Sequence, residues 1–94
     1  MIIDNVRGIS CLADTSEMMA NKDYKIRFKA ELIQTKMRYE KLTDLCNHIE
    51  AAEITGKNMP VHDCPLHLLQ DQQHAMGMYL HALEIRAIIE GVDL

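Results

Sequence analysis

The sequence predicts an all-α chain: a long antiparallel helical hairpin that assembles into a homo-oligomeric helical bundle. Three observations predict it. Apolar residues recur at alternating four- and three-residue steps through two long stretches. No Gly or Pro interrupts the chain from Ile9 to Thr55. The 48% apolar content has seven Met and only one Phe and no Trp, a mixture that suits helices better than sheets.

With 94 residues there is room for one small domain. Residues 1–22 read as an N-terminal arm or extension, and 23–94 as the hairpin. Residues 1–13 show no helical period, and Ile2, Ile3, Val6, Ile9 and Leu12 suit an arm or a short strand. Asp14-Thr15-Ser16-Glu17 has capping-box spacing, and Asn21 is an alternative cap, so the first helix starts near 15 or near 22. It runs to about Ala52, roughly 45 Å for about 30 residues. Gly56 ends it in the left-handed conformation, and Asn58 and Pro60 extend the break.

The stretch from Tyr24 to Ile49 organises the rest. Phe28, Leu32, Thr35, Tyr39, Leu42, Cys46 and Ile49 form a heptad-like seam. Ile26, Ala30, Ile33 and Met37 fall on nearly the opposite side. A simple hairpin needs one apolar face; two faces imply two packing partners.

The second helix starts near Cys64-Pro65, with Asp63 or Cys64 at the cap and Pro65 at the first helical position. Leu69, Gln73, Met76, Leu80, Leu83 and Ala87 form its seam, while Met78, Ile85 and Ile89 lie on the far side. Gly77 weakens it by up to about 1 kcal/mol relative to Ala unless another backbone approaches closely there. Gly91 marks its end. Apolar burial contributes roughly 25 cal/mol per Å² against about 1.5 kcal/mol per ordered residue, so a lone hairpin comes out near zero. Association of several copies supplies the missing surface.

The charge is segregated. Residues 22–41 carry seven cations (Lys22, Lys25, Arg27, Lys29, Lys36, Arg38, Lys41) against Asp23, Glu31 and Glu40, a net of +4. The chain total is −4, which leaves −8 on the remainder. Such a remainder repels a long duplex and suits capture of a compact anion, so no long nucleic acid is expected as partner. No apolar run approaches the roughly 20 residues of a bilayer span, and no membrane partner or signal-peptide core is expected. Cys11, Cys46 and Cys64 read as reduced packing thiols of a cytosolic protein.

His62-x-Cys64-x-x-His67, with Cys46 and His48 nearby in sequence, resembles metal-ligand spacing. It straddles a helix cap with Pro65 inside it and lacks a second paired cluster, so the plain reading is a packed Cys64 with solvated histidines and no metal. No Cys–His–Asp grouping, Gly-rich phosphate loop or GxSxG elbow is present. Neither an enzyme nor a cofactor is expected.

The cationic band carries the binding hypothesis. Lys22, Lys25, Lys29 and Lys36 share one edge of the first helix, and Arg27 and Arg38 the other. An arginine fork can grip phosphate through two bonds. Tyr24 and Tyr79 offer stacking surfaces worth roughly 1–3 kcal/mol per base, while Tyr39 lies on the seam and reads as core. The bland alternative is a solvated face with pairs such as Arg27–Glu31, and the residues alone favour it. Arg86 stands apart: flanked by Ile85 and Ala87 between apolar stripes, it needs an anion or carboxylate to meet it.

The pattern RFKAELIQTKMRYEKL, a loop, then LLQDQQHAMGMYLHALEIRA resembles the small helical-hairpin proteins of tailed phages and prophages grouped as anti-CBASS and anti-Thoeris sponge proteins. It covers about Asp23 to Glu90. Arg27, the Tyr39-Glu40-Lys41-Leu42 knot, Leu69, Gln72, Met76, Tyr79, Leu83 and Arg86 carry it. The resemblance implies a non-enzymatic homo-oligomer, often a hexamer, in the host bacterial cytoplasm. It would hold cyclic nucleotide second messengers, cyclic oligonucleotides or cyclic ADP-ribose forms, between protomers and so silence host defence. Arg86 falls where related proteins place a phosphate-binding arginine; a further arginine one turn later would fall at Glu90, a departure. Tyr24 and Lys36 stand as counterparts of an aromatic and a lysine early in the first helix. Residues 1–22 would then be an added arm or a start-site artefact, since Met18 and Met19 precede the matching segment. The alternative is a small oligomeric helical adaptor docking another phage or host protein. The expected ligand-binding set is Tyr24, Arg27, Lys36, Arg38, Tyr79 and Arg86.

Overall fold

The computed structural model describes residues 15–93, and every regular element among them is a helix. In chain order these are α1 (Ser16–Met19), α2 (Tyr24–Thr55) and α3 (Leu66–Glu90). The 32 residues of α2 measure about 48 Å at 1.5 Å per residue, which matches the molecule's 48 Å long dimension. α3 folds back along it through residues 56–65. The expected arm at residues 1–13 and the cap at Asp14 lie outside the described residues.

The chain uses both sites where a helix start was expected, as separate starts. Thr15 precedes the single turn of α1, and α2 begins eight residues past it. The cap of α2 is Asp23, not Asn21: its carboxylate accepts from the Lys25 amide at 2.9 Å. Asn21 instead accepts from the Asp23 amide at 2.8 Å, which fixes the turn before the cap. α2 ends at Thr55, three residues beyond the expected Ala52, and Gly56 closes it at φ 74°. Pro65 is the cap of α3 and not its first helical residue. Gly91 closes α3 at φ 70°, and the Val92 amide donates back to the Ala87 carbonyl at 2.9 Å. Val92 then packs on the core, so this terminus is fixed from both backbone and side chain.

The two seams meet as expected. Phe28 and Leu32 of α2 form one cluster with Leu80, Leu83 and Ala87 of α3, and Tyr39 packs against it. Cys46 and Ile49 continue the buried side of α2 toward the loop. Burial, first, and the Glu50 carboxylate, second, push the Cys46 thiol up. Cys64 is exposed, which corrects its expected packing role: it lies in the loop just before the Pro65 cap. Cys11 lies outside the described residues.

The second apolar stripe of α2 does not need another molecule. Ala30, Ile33 and Met37 are buried within the single chain. α1 packs on α2, and Thr15 accepts a hydrogen bond from Gln34 Nε2 at 2.7 Å. Two apolar faces on this helix do not by themselves call for another copy, since these residues of the second face are already buried within the single chain. The free apolar face belongs to α3, where Met78, Ile85 and Ile89 are 63%, 43% and 76% exposed. They recur at steps of seven and four, and Ala75 and Ala82 complete an alternating three-and-four stripe.

Gly77 has a different reason from the one expected. A Cβ there would sit 3.1 Å from Cε1 of Tyr39, so the approaching group is an aromatic ring and not a backbone. That ring borders an open groove and has somewhere to go. Gly77→Ala is therefore expected to change stability by no more than about 1 kcal/mol, because helix propensity offsets the crowding. Gly77→Leu, which must eject the ring, is expected to cost about 1–3 kcal/mol in urea unfolding. Equal midpoints for the two variants would contradict the contact.

Among the described residues no helix is long and apolar enough to cross a membrane.

Candidate functional site

The start of α2 and the end of α3 lie side by side, and most of the functional candidates gather there. Met19, Tyr24, Arg27, Phe28, Glu31 and Arg86 line a pocket of about 360 Å³. α2 presents Tyr24, Arg27, Phe28 and Glu31 within two turns, while α3 brings Arg86 up from its last turns. The fixed C-terminus at Gly91 and Val92 sets the height of that arginine.

Arg86 lies over the Phe28 ring, its guanidinium carbon 4.4 Å from the ring centroid. Its fork faces Glu90: Nε donates to Oε2 at 2.8 Å and Nη2 to Oε1 at 3.4 Å. The carboxylate that this arginine requires is thus supplied from one turn onward. The Tyr24 hydroxyl donates to the same carboxylate, and Lys25 Nζ donates to the Glu90 backbone carbonyl at 2.9 Å. Three donor atoms from two helices, Nε and Nη2 of Arg86 and the Tyr24 hydroxyl, converge on one carboxylate, while Lys25 holds the backbone beside it.

Arg27 is held differently from its expected pairing with Glu31. Its Nη1 donates to the carbonyls of Asn21 and Lys22, both at 2.8 Å, so it ties α2 to the turn before it. Glu31 instead accepts from the Tyr79 hydroxyl, which places Tyr79 beside the same end of the hairpin. Each of the two tyrosines is thereby oriented by a carboxylate. Lys36 and Arg38 stand apart from this pocket: Arg38 is eleven residues past Arg27, about 16 Å along the helix axis. One chain brings together Tyr24, Arg27 and Arg86, sets Tyr79 next to them, and leaves the other two farther along α2.

The contacts set the protonation states. The hydrogen bond from Arg86, then that from Tyr24, holds the Glu90 carboxyl below its ordinary value of 4.5. The same bond raises the Arg86 guanidinium, and the Glu90 carboxylate raises the Tyr24 phenol above 10.0. The sign follows for stability: this carboxylate's contribution is present above pH 4.5 and is lost as pH falls through the lower folded value. A carbon-13 titration of the Glu90 carboxyl is expected to show a midpoint below the ordinary value. A midpoint at or above it would mean that the three-donor arrangement is absent in solution.

A second groove of about 690 Å³ runs along the hairpin, bordered by Tyr39, Gln73, His74 and His81. Gln73 Nε2 donates to Thr43 Oγ1 at 3.1 Å there. Near the loop, His62 Nδ1 lies 2.7 Å from the Cys64 carbonyl oxygen. Among the described residues no group of three or more His, Cys, Asp or Glu could hold a metal ion.

Sequence reasoning placed Arg86, Tyr24 and Arg27 among the candidates and Lys25 in the cationic band, but gave Glu90, Glu31 and Phe28 no part in a site. The four-residue spacing of Arg86 and Glu90 was a readable signal. The Tyr79–Glu31 and Lys25–Glu90 contacts join residues 48 and 65 positions apart, and only the register of the two helices reveals them.

No curated protein and no solved structure matches the chain. A family model described as Sequestin matches residues 22–89. That span holds almost all of α2 and α3 together with Tyr24, Arg27, Tyr79 and Arg86, and it begins where the turn before α2 begins. On a match over more than two thirds of its length, the chain belongs to the Sequestin family.

Proposed function

We propose that this protein sequesters a phosphate-bearing immune signal, a cyclic oligonucleotide or a cyclic ADP-ribose-type molecule, at contacts between its own copies and without catalysis. The observation that carries the reading is the convergence of Arg86, Tyr24 and Arg27 from two helices at a pocket rimmed by aromatic rings. The family name speaks of sequestration, which agrees with a protein that binds and releases slowly. In a phage or prophage setting, removal of the signal in the host bacterial cytoplasm would silence host defence effectors.

Each part of the site has a task in this reading. The Arg86 fork takes a phosphate through two bonds. Tyr24 and Tyr79, already oriented by carboxylates, stack on the ligand's rings. In this reading copies associate through the apolar stripe of α3, a neighbouring chain contributes Lys36 or Arg38 to the pocket, and a hexamer is the favoured assembly. Binding needs affinity and copy number alone, because nothing is turned over.

Calorimetry against a panel of cyclic di- and trinucleotides and cyclic ADP-ribose forms tests this. Heat with at least one member is expected, and the ligand should be recovered chemically unchanged by chromatography. Absence of heat with every member overturns the reading.

The exposed stripe Met78, Ile85, Ile89 favours one other reading, a small oligomeric helical adaptor whose α3 docks a phage or host protein. That reading expects a monomer or dimer by light scattering and a stoichiometric partner in a pull-down.

A further inference from the structure

Glu90 is out of place by the rules of helix chemistry. A carboxylate in the last turn meets the negative end of the helix dipole, and no basic residue of α3 compensates there. The order Arg86 then Glu90, cation first, is the weaker orientation of a four-residue pair. The helix end itself does not favour this carboxylate. What holds it is the Arg86 fork, together with the Tyr24 hydroxyl from α2. Planar nitrogen donors and a phenol directed at two oxygens are the surroundings that a phosphate group seeks.

We infer that the Glu90 carboxylate occupies the phosphate subsite of the ligand-free protein, and that binding is an exchange in which a phosphate displaces it from Arg86 and Tyr24. The inference rests on the reading of the site as a phosphate binder. The exchange is physically easy. Glu90 lies in the last helical turn next to Gly91, and its side chain can swing toward solvent without moving the backbone. The arginine stays seated on Phe28 throughout, so its fork is presented ready-made to the incoming anion. Once displaced, the carboxylate remains beside the site. It then opposes a second negative charge at that edge and offers an acceptor to a hydroxyl or amino group. The site is thereby biased toward ligands whose phosphates are spaced apart and whose sugar or base carries a donor near the bound phosphate. A cluster of adjacent phosphates still displaces the carboxylate at saturation, but is held less tightly than it would be with that charge removed.

The test measures inorganic pyrophosphate, as a bare anion, and cyclic di-AMP by calorimetry on the full chain. Wild type is compared with Glu90→Gln, with Arg86→Ala in both backgrounds, and with Glu84→Gln as a charge-matched control on α3. Glu90→Gln is expected to bind pyrophosphate at least tenfold more tightly than wild type, Glu84→Gln less than twofold, and Arg86→Ala should erase the gain. In wild type, saturating pyrophosphate should also move the Glu90 carboxyl carbon resonance and raise its titration midpoint, which reports displacement independently of affinity.

Equal or weaker pyrophosphate binding by Glu90→Gln, with native circular dichroism, overturns the exchange, and so does a gain of the same size in Glu84→Gln. If a cyclic nucleotide binds wild type while Glu90→Gln brings no gain, the exchange fails and the sequestering function stands. If the pyrophosphate results come out as expected but no cyclic nucleotide binds, the function fails and the anion subsite stands.

Discussion

Arg86→Ala is expected to weaken ligand binding by a factor of 100 or more while leaving the helical content intact. The loss has two sources. The fork that takes the phosphate disappears, and with it two charge-assisted hydrogen bonds to the ligand. The Glu90 carboxylate also stays behind, now facing the ligand's phosphate with no arginine between them. Stability should move much less. Side chains 49% and 24% exposed are largely screened by water, so their pair adds little to stability. Loss of the Phe28 contact adds a little, since the ring keeps Leu32, Leu83 and Ala87 around it. Calorimetry and a urea melt on the same preparation separate the two effects. A variant that keeps wild-type affinity would remove Arg86 from the site.

The second large effect is expected at the other face of α3. Ile85→Glu together with Ile89→Glu places two carboxylates in the middle of the exposed apolar stripe. In an assembled state those charges would be buried without partners, a penalty of several kcal/mol per copy that association cannot recover. The particle should fall to single chains of 10.8 kDa in light scattering. Helicity should survive, because Ile85 and Ile89 face away from the Leu80–Leu83–Ala87 seam. Ligand affinity should fall with the assembly, since a pocket completed by a neighbour loses that half. If the double variant remains assembled, the contact lies elsewhere and the stripe serves another purpose.

Much of this hairpin was legible in the chain. Periodicity located the seams Phe28–Leu32 and Leu80–Leu83–Ala87 because a packed pair of helices leaves its spacing in the sequence. Gly56 and Gly91 marked the ends because few other residues accept a positive φ. The second stripe of α2 misled, since amphipathicity states that a face is buried and not by what. A foreign helix and the chain's own N-terminal segment leave the same trace at Ala30, Ile33 and Met37. The Asp23 cap was passed over in favour of Asn21; both are good cap residues, and only the turn geometry ranks them. In the site, Arg86 announced itself as a charge between apolar neighbours. Its carboxylate partner Glu90 is four residues away, but Tyr24 and Phe28 come from the other helix, where pattern has no reach.

In the proposed reading, the pocket also accounts for how a chain of net charge −4 would hold an anion. Its acidic residues are not idle near the site. Glu90 and Glu31 keep Arg86, Tyr24 and Tyr79 in defined positions until a ligand arrives. The arrangement orders the donors beforehand, so less conformational freedom is lost on binding.

Native mass spectrometry of the particle purified at micromolar concentration tests most directly whether copies of this chain join to hold a small anion. The expected spectrum shows a whole-number multiple of the 10.8 kDa chain, carrying added mass that collisional heating releases as a phosphate-containing small molecule. A spectrum of single folded chains, which stays so after incubation with the cyclic nucleotide panel, would contradict it.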